Sequence, residues 1–311
     1  MKKIGLVGCG EWGQYILRDL IYLGCKVTVV ATSKLSLKRA RLYQASKIVH
    51  NLNQLPRQDG LIVAVPTLKH KEVLVKLIKK MPLVPIFCEK PLTCDSKSAF
   101  RLANLAKNRL FVMDKWRYHQ GVIKMAEIVK SKKYGQLKAI KTYRLGWGNR
   151  HKDVDTIWIL LPHELAIIKE ILGYLPTPKS AIAEKIGNLA VGLNVFFNSK
   201  FAITVEISSR SPSYKREVQL HFEKALVTLD DPLSNELKVY DTRNINAAKI
   251  NKPKKISFNN KMPLLEEIKA FLNYLDGQST PKTSAFEGAQ SVKMIEEIRK
   301  LANLKKYAAF K

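Results

Sequence analysis

Acidic residues are scarce in this chain of 311 residues: 26 Asp and Glu stand against 54 Lys and Arg, a formal charge of +28. Such an excess invites a nucleic-acid partner, because lysine and arginine contacts to phosphate dominate that kind of binding. The distribution speaks against it. Basic residues are dispersed, as in Lys69, Lys71, Lys76, Lys79 and Lys80, with no stacked aromatic platform and no nucleic-acid motif, so most read as a solvated surface and no nucleic-acid partner is expected. The charge still favours anionic, phosphate-bearing small ligands. Cysteine is scarce too. Cys9, Cys25, Cys88 and Cys94 all fall in the first third, with no CxxC pair and no histidine cluster at ligand spacing, which excludes a disulfide framework or a zinc site and leaves reduced thiols. No apolar run reaches the roughly 18 residues needed to cross a bilayer, so no membrane partner is expected. Met1-Lys2-Lys3-Ile4 leads straight into a strand without an apolar leader, and the expected location is cytoplasmic.

What is present falls into two regimes, as expected for a length that suits two domains. Up to about residue 118, apolar runs of strand length (3–8, 27–31, 61–65, 84–88, 110–114) alternate with helical stretches near 11–23, 34–45, 69–81 and 95–107. That alternation predicts a doubly wound parallel sheet. Between about 136 and 241 the runs become longer and alternate with period two (138–145, 179–186, 189–197, 201–208, 217–222, 225–229), which predicts a largely antiparallel sheet. Two helical patterns, 263–275 and 285–304, close the chain. The expected fold is an α/β Rossmann dinucleotide-binding domain over 1–118, followed by an α+β domain with a large, mostly antiparallel open sheet over 119–311.

The first strand runs into Gly8-Cys9-Gly10-Glu11-Trp12-Gly13. Gly8 permits the tight turn, Gly10 lets backbone approach a pyrophosphate, and Gly13 lets the helix pack close to the strand, with the helix amino end facing the phosphates. Glu11 and Trp12 share that loop. At the end of the second strand, where an acid would bind the ribose hydroxyls of NAD, the chain has Thr32-Ser33-Lys34, with Lys38 and Arg39 behind. Hydroxyl donors and cations there suit a 2′-phosphate, so NADP(H) is favoured over NAD(H). If those lysines merely face water, the choice stays open.

Lys90 lies in Cys88-Glu89-Lys90-Pro91-Leu92-Thr93, directly after the apolar run Leu83 to Phe87. An ammonium at a strand's carboxyl end, partly desolvated near other cations, is suited to proton transfer near neutral pH.

Taken in order, these motifs resemble the glucose-fructose oxidoreductase, inositol dehydrogenase and MocA family (Gfo/Idh/MocA) over nearly the whole chain. The markers are the glycine loop, Ala64-Val65-Pro66-Thr67-Leu68-Lys69-His70 like its ATP-x-x-x-H segment, Glu89-Lys90-Pro91, and Trp116-Arg117-Tyr118 like its R-F/Y stretch. Pro263 to Phe271, the stretch Gly277 to Pro281 and the strand Ala225 to Asp231 also match its pattern. The resemblance implies an NAD(P)-dependent sugar dehydrogenase or reductase of carbohydrate metabolism. Lys90 would act as general acid or base, and Val65, Pro66, His70 and Glu89 would join the cofactor site. Arg117, Tyr118, Trp158 and His163 would face a sugar or nucleotide-sugar substrate, and the assembly would be a homo-oligomer, a dimer or tetramer.

Asp155-Thr156-Ile157-Trp158-Ile159-Leu160-Leu161-Pro162-His163-Glu164-Leu165 resembles the family's W-D-L-A-P-H-D-L segment, with His163 at the position that contacts the reacting hydroxyl. One departure stands out. The family aspartate four residues before that histidine is Ile159 here. Asp155 could replace it only if a helix extends back past Pro162. His119 and Gln120 replace the family's asparagine and proline after the R-F/Y pair. Arg210, Lys215 and Arg216 near a sheet edge are candidates for a sugar diphosphate. Lys90 and His163 working as a pair, a changed substrate, and a catalytically silent NADP-binding sensor or scaffold all remain open.

Overall fold

A computed structural model of the chain describes residues 1–149, 153–244 and 252–305. It contains two compact units, Met1–Lys115 with Leu264–Lys293, and Trp116–Pro263 with the stretch from Met294 onward. The first unit follows the order β1 (Lys3–Val7), α1 (Gly13–Tyr22), β2 (Lys26–Val30), α2 (Lys34–Leu42), β3 (Lys47–Val49), β4 (Gly60–Val63), α3 (His70–Lys80), β5 (Ile86–Glu89), α4 (Ser96–Ala106), β6 (Leu110–Met113). All pairings are parallel and the strand order is β3-β2-β1-β4-β5-β6. Strands covered by helices on both faces need apolar side chains on both faces, which explains the unbroken burial of Ile4 to Val7 and of Ile86 to Cys88. The order reverses between β1 and β4, and the crevice at such a reversal is where ligands of open α/β sheets bind. The three-residue β3 was not expected, because Lys47-Ile48-Val49 is too short to show a period.

The second unit holds α5 (Gln120–Ser131), β7 (Leu137–Trp147), α6 (Thr156–Leu172), β8 (Thr177–Ile186), β9 (Leu189–Asn198), β10 (Ala202–Ser208), β11 (Arg210–Phe222), β12 (Ala225–Leu229), β13 (Glu236–Asp241) and β14 (Lys254–Ser257). Its sheet has the order β14-β13-β12-β11-β7-β10-β9-β8 and is antiparallel except for the parallel pair β7 and β10. The mostly antiparallel open sheet is thus as expected. Strands β13 and β14 were not expected: β14 is four largely exposed residues with two lysines, and β13 is short, with only Leu237 and Val239 buried. Helix α6 packs on β9 and β10, burying Ile203, Val205 and Ile207 of β10. Pro162 sits inside this helix, so the doubt about a helix reaching back beyond it is corrected. The missing proline N–H removes one ladder bond, and a capped, deeply buried amphipathic helix tolerates that loss.

Two helices close the chain, α7 (Pro263–Leu275) and α8 (Ala285–Leu301). In the first unit Phe271 of α7 stacks on Phe87 of β5 with ring centroids 5.0 Å apart, and Tyr274 meets Phe111 edge-on at 4.8 Å. Burying a ring of this size contributes about 2–3 kcal/mol. Gly60 makes the approach possible, since a Cβ there would lie 2.7 Å from Leu275 Cδ1. The first unit therefore ends at Lys115 and regains 264–293, where the sequence reading placed a single boundary at 118. Packing between segments some 150 residues apart leaves no local signature. Among the described residues no helix is long and apolar enough to cross a membrane.

Candidate functional site

The glycine loop is pinned where the strand order reverses. Gly8 N donates to Val30 O at 3.0 Å, and Ala64 N donates to Val7 O at 2.9 Å. Gly8 has φ +96°, and a Cβ on it would lie 2.5 Å from Ala64 O, so the position requires glycine twice over. A Cβ on Gly13 would collide with the Gly8 carbonyl oxygen. Gly10 differs. A Cβ there would meet no atom within 4 Å, leaving open space beside the amino end of α1, whose first turn has no side-chain cap. This combination of open space, no capping side chain and a positive dipole end fits a pyrophosphate.

From this loop a cleft of about 1100 Å³ runs along the first unit. It is lined by Gly8, Gly10, Thr32, Ser33, Val65 and Pro66, six of the residues expected to hold cofactor, and also by Ser36, His50, Asn51, Lys69, Lys76 and Lys80. The lysines that read as solvated surface are solvated, but Lys69, Lys76 and Lys80 at and along α3 form one lysine-rich wall of this cleft, in which Glu72 pairs with Lys69 and Lys76. Lys80 Nζ donates to Leu52 O (2.5 Å) and Asn53 O (2.8 Å), which fixes the facing loop. Ser33 caps α2, its Oγ accepting from Ser36 N at 3.2 Å. Cys9 is buried in the loop, and burial pushes its thiol up to about 11 against a small opposing pull from Arg39.

Glu11, Trp12, Gly13, Lys34, His70, Glu89 and Lys90 do not line that cleft. His70 is 1 % exposed, with Nδ1 2.8 Å from Pro91 O and Nε2 3.0 Å from Val65 O. It ties the loop after β4 to the loop that carries Lys90. At the end of β5, Trp12 Nε1 donates to Glu89 Oε1, and Lys90 N donates to Glu89 Oε2 at 3.1 Å. Lys115 Nζ lies 4.5 Å from the centre of the Trp12 ring, a cation–π contact. Burial raises the Glu89 carboxyl, and Lys90, Trp12 and Lys115 pull it back. Glu89 thus fixes the backbone of Lys90 through one hydrogen bond, and Trp12 holds Glu89 in place.

Behind this cluster lies a group that sequence reasoning missed. Glu267 of α7 is 1 % exposed, and its Oε2 has no hydrogen-bond partner among the described residues. Burial first, then the charges of Glu89 and Asp114, push its carboxyl well above the usual range, against opposing effects of Lys115 and an Asp114 backbone hydrogen bond. The folded protein holds this proton more tightly than the unfolded chain does, so stability is fully present at low pH and is lost as pH rises through the elevated value. Glu267→Gln cannot ionise. Its melting temperature should match wild type near pH ~5 and exceed it near pH ~8, read by thermal melts across pH; parallel curves would refute the assignment.

In the second unit, His163 of α6 meets the Trp116 ring edge-on at 6.5 Å. Trp116 also stacks on His119 at 5.2 Å and carries the Arg144 guanidinium at 4.6 Å, and Arg144 pairs with buried Glu164. His119 accepts from Gly121 N through Nδ1 (3.1 Å), so its Nε2–H donates to Pro232 O (2.8 Å), and the ring caps α5. Arg117 is paired with Glu170 at 3.1 Å, both mostly buried, and Tyr118 is half-buried. Trp158 is 1 % exposed, with Arg299 5.7 Å from its ring, so the core and not a pocket holds it. Asp155 is buried as well. It caps α6 by accepting from Ile157 N and Trp158 N and forms an ion pair with Arg299 at 2.7 Å. It does not stand in for the family aspartate, because helix capping and Arg299 use its oxygens.

Ile159 and Leu160 line a second cleft, of about 420 Å³, together with Gly146, Trp147, Thr156, Ser209, Tyr214 and Arg216. No group of three His, Cys, Asp or Glu among the described residues could hold a metal ion.

Residues 2–113 match the model of the Gfo/Idh/MocA oxidoreductase family, NAD-binding Rossmann fold. Inositol 2-dehydrogenase of Pseudarthrobacter chlorophenolicus is 21% identical over 196 residues, which span 55% of this chain and 54% of that enzyme. The match therefore covers about half the length of that relative. UDP-N-acetylglucosamine 3-dehydrogenase GnnA from Acidithiobacillus ferrooxidans has the same fold, with TM-score 0.80 at 18% identity over 96% of this chain and 97% of that one. Levoglucosan dehydrogenase in complex with NADH and levoglucosan follows it at TM-score 0.81 and 11% identity, covering 97% of each chain. Over residues 2–113 the chain is thus similar to the NAD-binding Rossmann domain of the Gfo/Idh/MocA oxidoreductase family, the family whose motifs the sequence resembles.

Proposed function

We propose that the protein is an NAD(P)-dependent dehydrogenase or reductase that moves hydride between nicotinamide and a sugar hydroxyl or ketone, free or nucleotide-linked. The observation that carries this reading is one sheet edge. The glycine cradle after β1 and the ammonium-bearing residue Lys90 after β5 stand at carboxyl ends of strands in a single parallel sheet. When bound, nicotinamide supplies the hydride donor or acceptor. Gly8, Gly10 and the first turn of α1 bind phosphate, and Thr32 and Ser33 meet the adenosine ribose. Trp12 and Glu89 hold the Lys90 backbone, while Lys90 Nζ holds or takes the proton of the reacting hydroxyl. His163 is the second member of the acid/base pair. The lack of an acid after β2 favours NADP(H); the family's NAD-binding description keeps NAD(H) in the test.

The activities named for the relatives, on inositol, UDP-N-acetylglucosamine and levoglucosan, support a polyol or sugar substrate. Exposed Ile182, Ile186 and Phe196 on the second unit's sheet support a homo-oligomer. A second reading, a silent NADP-binding sensor or scaffold, draws on Ile159, which stands where the family motif has an aspartate. Fluorescence titration with NADPH and NADH, followed by cofactor turnover on a panel of polyols, free sugars and nucleotide sugars, separates the two. Saturable binding with turnover on at least one panel member is expected; tight binding with turnover on none would favour the sensor.

A further inference from the structure

Strand β11 leaves its ladder with β7 at one place. Arg216 pairs with Arg144 and Lys215 with Leu145, and the register then jumps to Arg210 opposite Trp147. Residues 211–214 therefore stand opposite Gly146 alone, a bulge that turns side chains away from the pleat. Tyr214 is 73% exposed beside it, and Trp147 is 70% exposed at the end of β7. Each ring carries a guanidinium, Arg216 at 4.6 Å from the Tyr214 centroid and Arg210 at 5.1 Å from that of Trp147. Tyr214, Trp147 and Arg216 form walls of the 420 Å³ cleft, with Ile159 and Leu160 of α6 adding an apolar patch.

Arg216 is held in place there. Its Nη1 donates to Leu145 O (2.6 Å) and Lys215 O (3.2 Å), and its side chain also hydrogen-bonds that of Tyr214. Among the described residues no carboxylate forms an ion pair with it, and the nearby Glu164 is taken by Arg144. Burial and then the Arg144 charge pull its pKa below the ordinary guanidinium value, against smaller opposing effects of Tyr214 and Glu164. A half-buried guanidinium with no ion-paired carboxylate matches phosphate oxygens in shape and charge. Two exposed rings beside it match the face of a base.

We propose that this cleft seats the nucleoside diphosphate portion of the substrate, with phosphate on Arg216 and the base against Tyr214 and Trp147. The proposal rests on the oxidoreductase reading and narrows its substrate to the nucleotide-linked class. A cleft of this volume lies within the usual range for small-ligand sites.

The test uses the full-length protein saturated with NADPH, so that the cleft of the first unit is filled, and titrates UDP by calorimetry. Saturable UDP binding is expected, weakened about tenfold or more in Tyr214→Ala and in Trp147→Ala, with NADPH affinity and melting temperature unchanged. Because both side chains are largely exposed, neither variant should fail to fold. Inorganic pyrophosphate should bind more weakly than UDP and be indifferent to Tyr214→Ala. UDP affinity equal in wild type and both variants would overturn the proposal. So would a change of oligomeric mass in Tyr214→Ala with UDP affinity intact, which would make the rings a contact between copies of the chain. Failure of NADPH to bind, with UDP binding and its Tyr214 dependence preserved, would instead remove the oxidoreductase reading.

Discussion

Gly10→Asp should fold with wild-type or slightly higher melting temperature and lose NAD(P)H affinity by more than about 100-fold, roughly 2.7 kcal/mol. A Cβ at position 10 meets no protein atom within 4 Å and the position has no positive φ, so the folded chain should accept a side chain there. A carboxylate beside the amino end of α1 is even favourable, by about 0.3–1 kcal/mol, because it faces the positive end of the helix. The same carboxylate occupies the space and the N–H groups that a pyrophosphate needs, and it repels phosphate charge. Gly13→Val is the contrasting case: its Cβ collides with the Gly8 carbonyl oxygen, so stability and binding should fall together. Fluorescence titration beside a thermal melt reads both quantities. Unchanged cofactor affinity in Gly10→Asp would place the dinucleotide elsewhere.

Lys90→Met should lower kcat by about 10²- to 10⁴-fold, the usual worth of a positioned acid or base, while cofactor affinity stays within about twofold. The substitution keeps the aliphatic stem and removes the ammonium. The contact that holds this position to Glu89 uses the backbone N–H and survives the change. Loss of affinity and turnover together would make Lys90 a cofactor anchor instead, and turnover at the wild-type rate would end its assigned role. Single-turnover kinetics with bound cofactor separates these outcomes.

The elements legible from sequence are those whose side chains repeat a simple period. The parallel strands read as apolar runs because both faces are buried, and the glycine loop read correctly because Gly8 and Gly13 are sterically compelled. What stayed hidden depends on contacts between distant segments. Nothing local marks Glu267 as buried behind Glu89; only the packing of α7 through Phe271 on Phe87 puts it there. Trp158 and Asp155 illustrate the opposite error. Both lie in a family-like motif and were natural site candidates, yet they serve the core and the helix cap, because the inward-facing stripe of α6 includes Ile157, Trp158 and Leu161 while Ile159 and Leu160 face the cleft. The basic wall formed by Lys69, Lys76 and Lys80 had a readable signal, since spacings of seven and four residues put them on one side of a helix. A strongly basic composition obscured it.

Hydride transfer itself is the most direct test. Panel substrates carrying deuterium on the carbinol carbon are incubated with the protein and NADP⁺ or NAD⁺, and the nicotinamide is analysed by mass spectrometry. Deuterium should appear on the reduced nicotinamide with at least one substrate and disappear in Lys90→Met. Tight cofactor binding with no label transferred from any substrate would contradict the account.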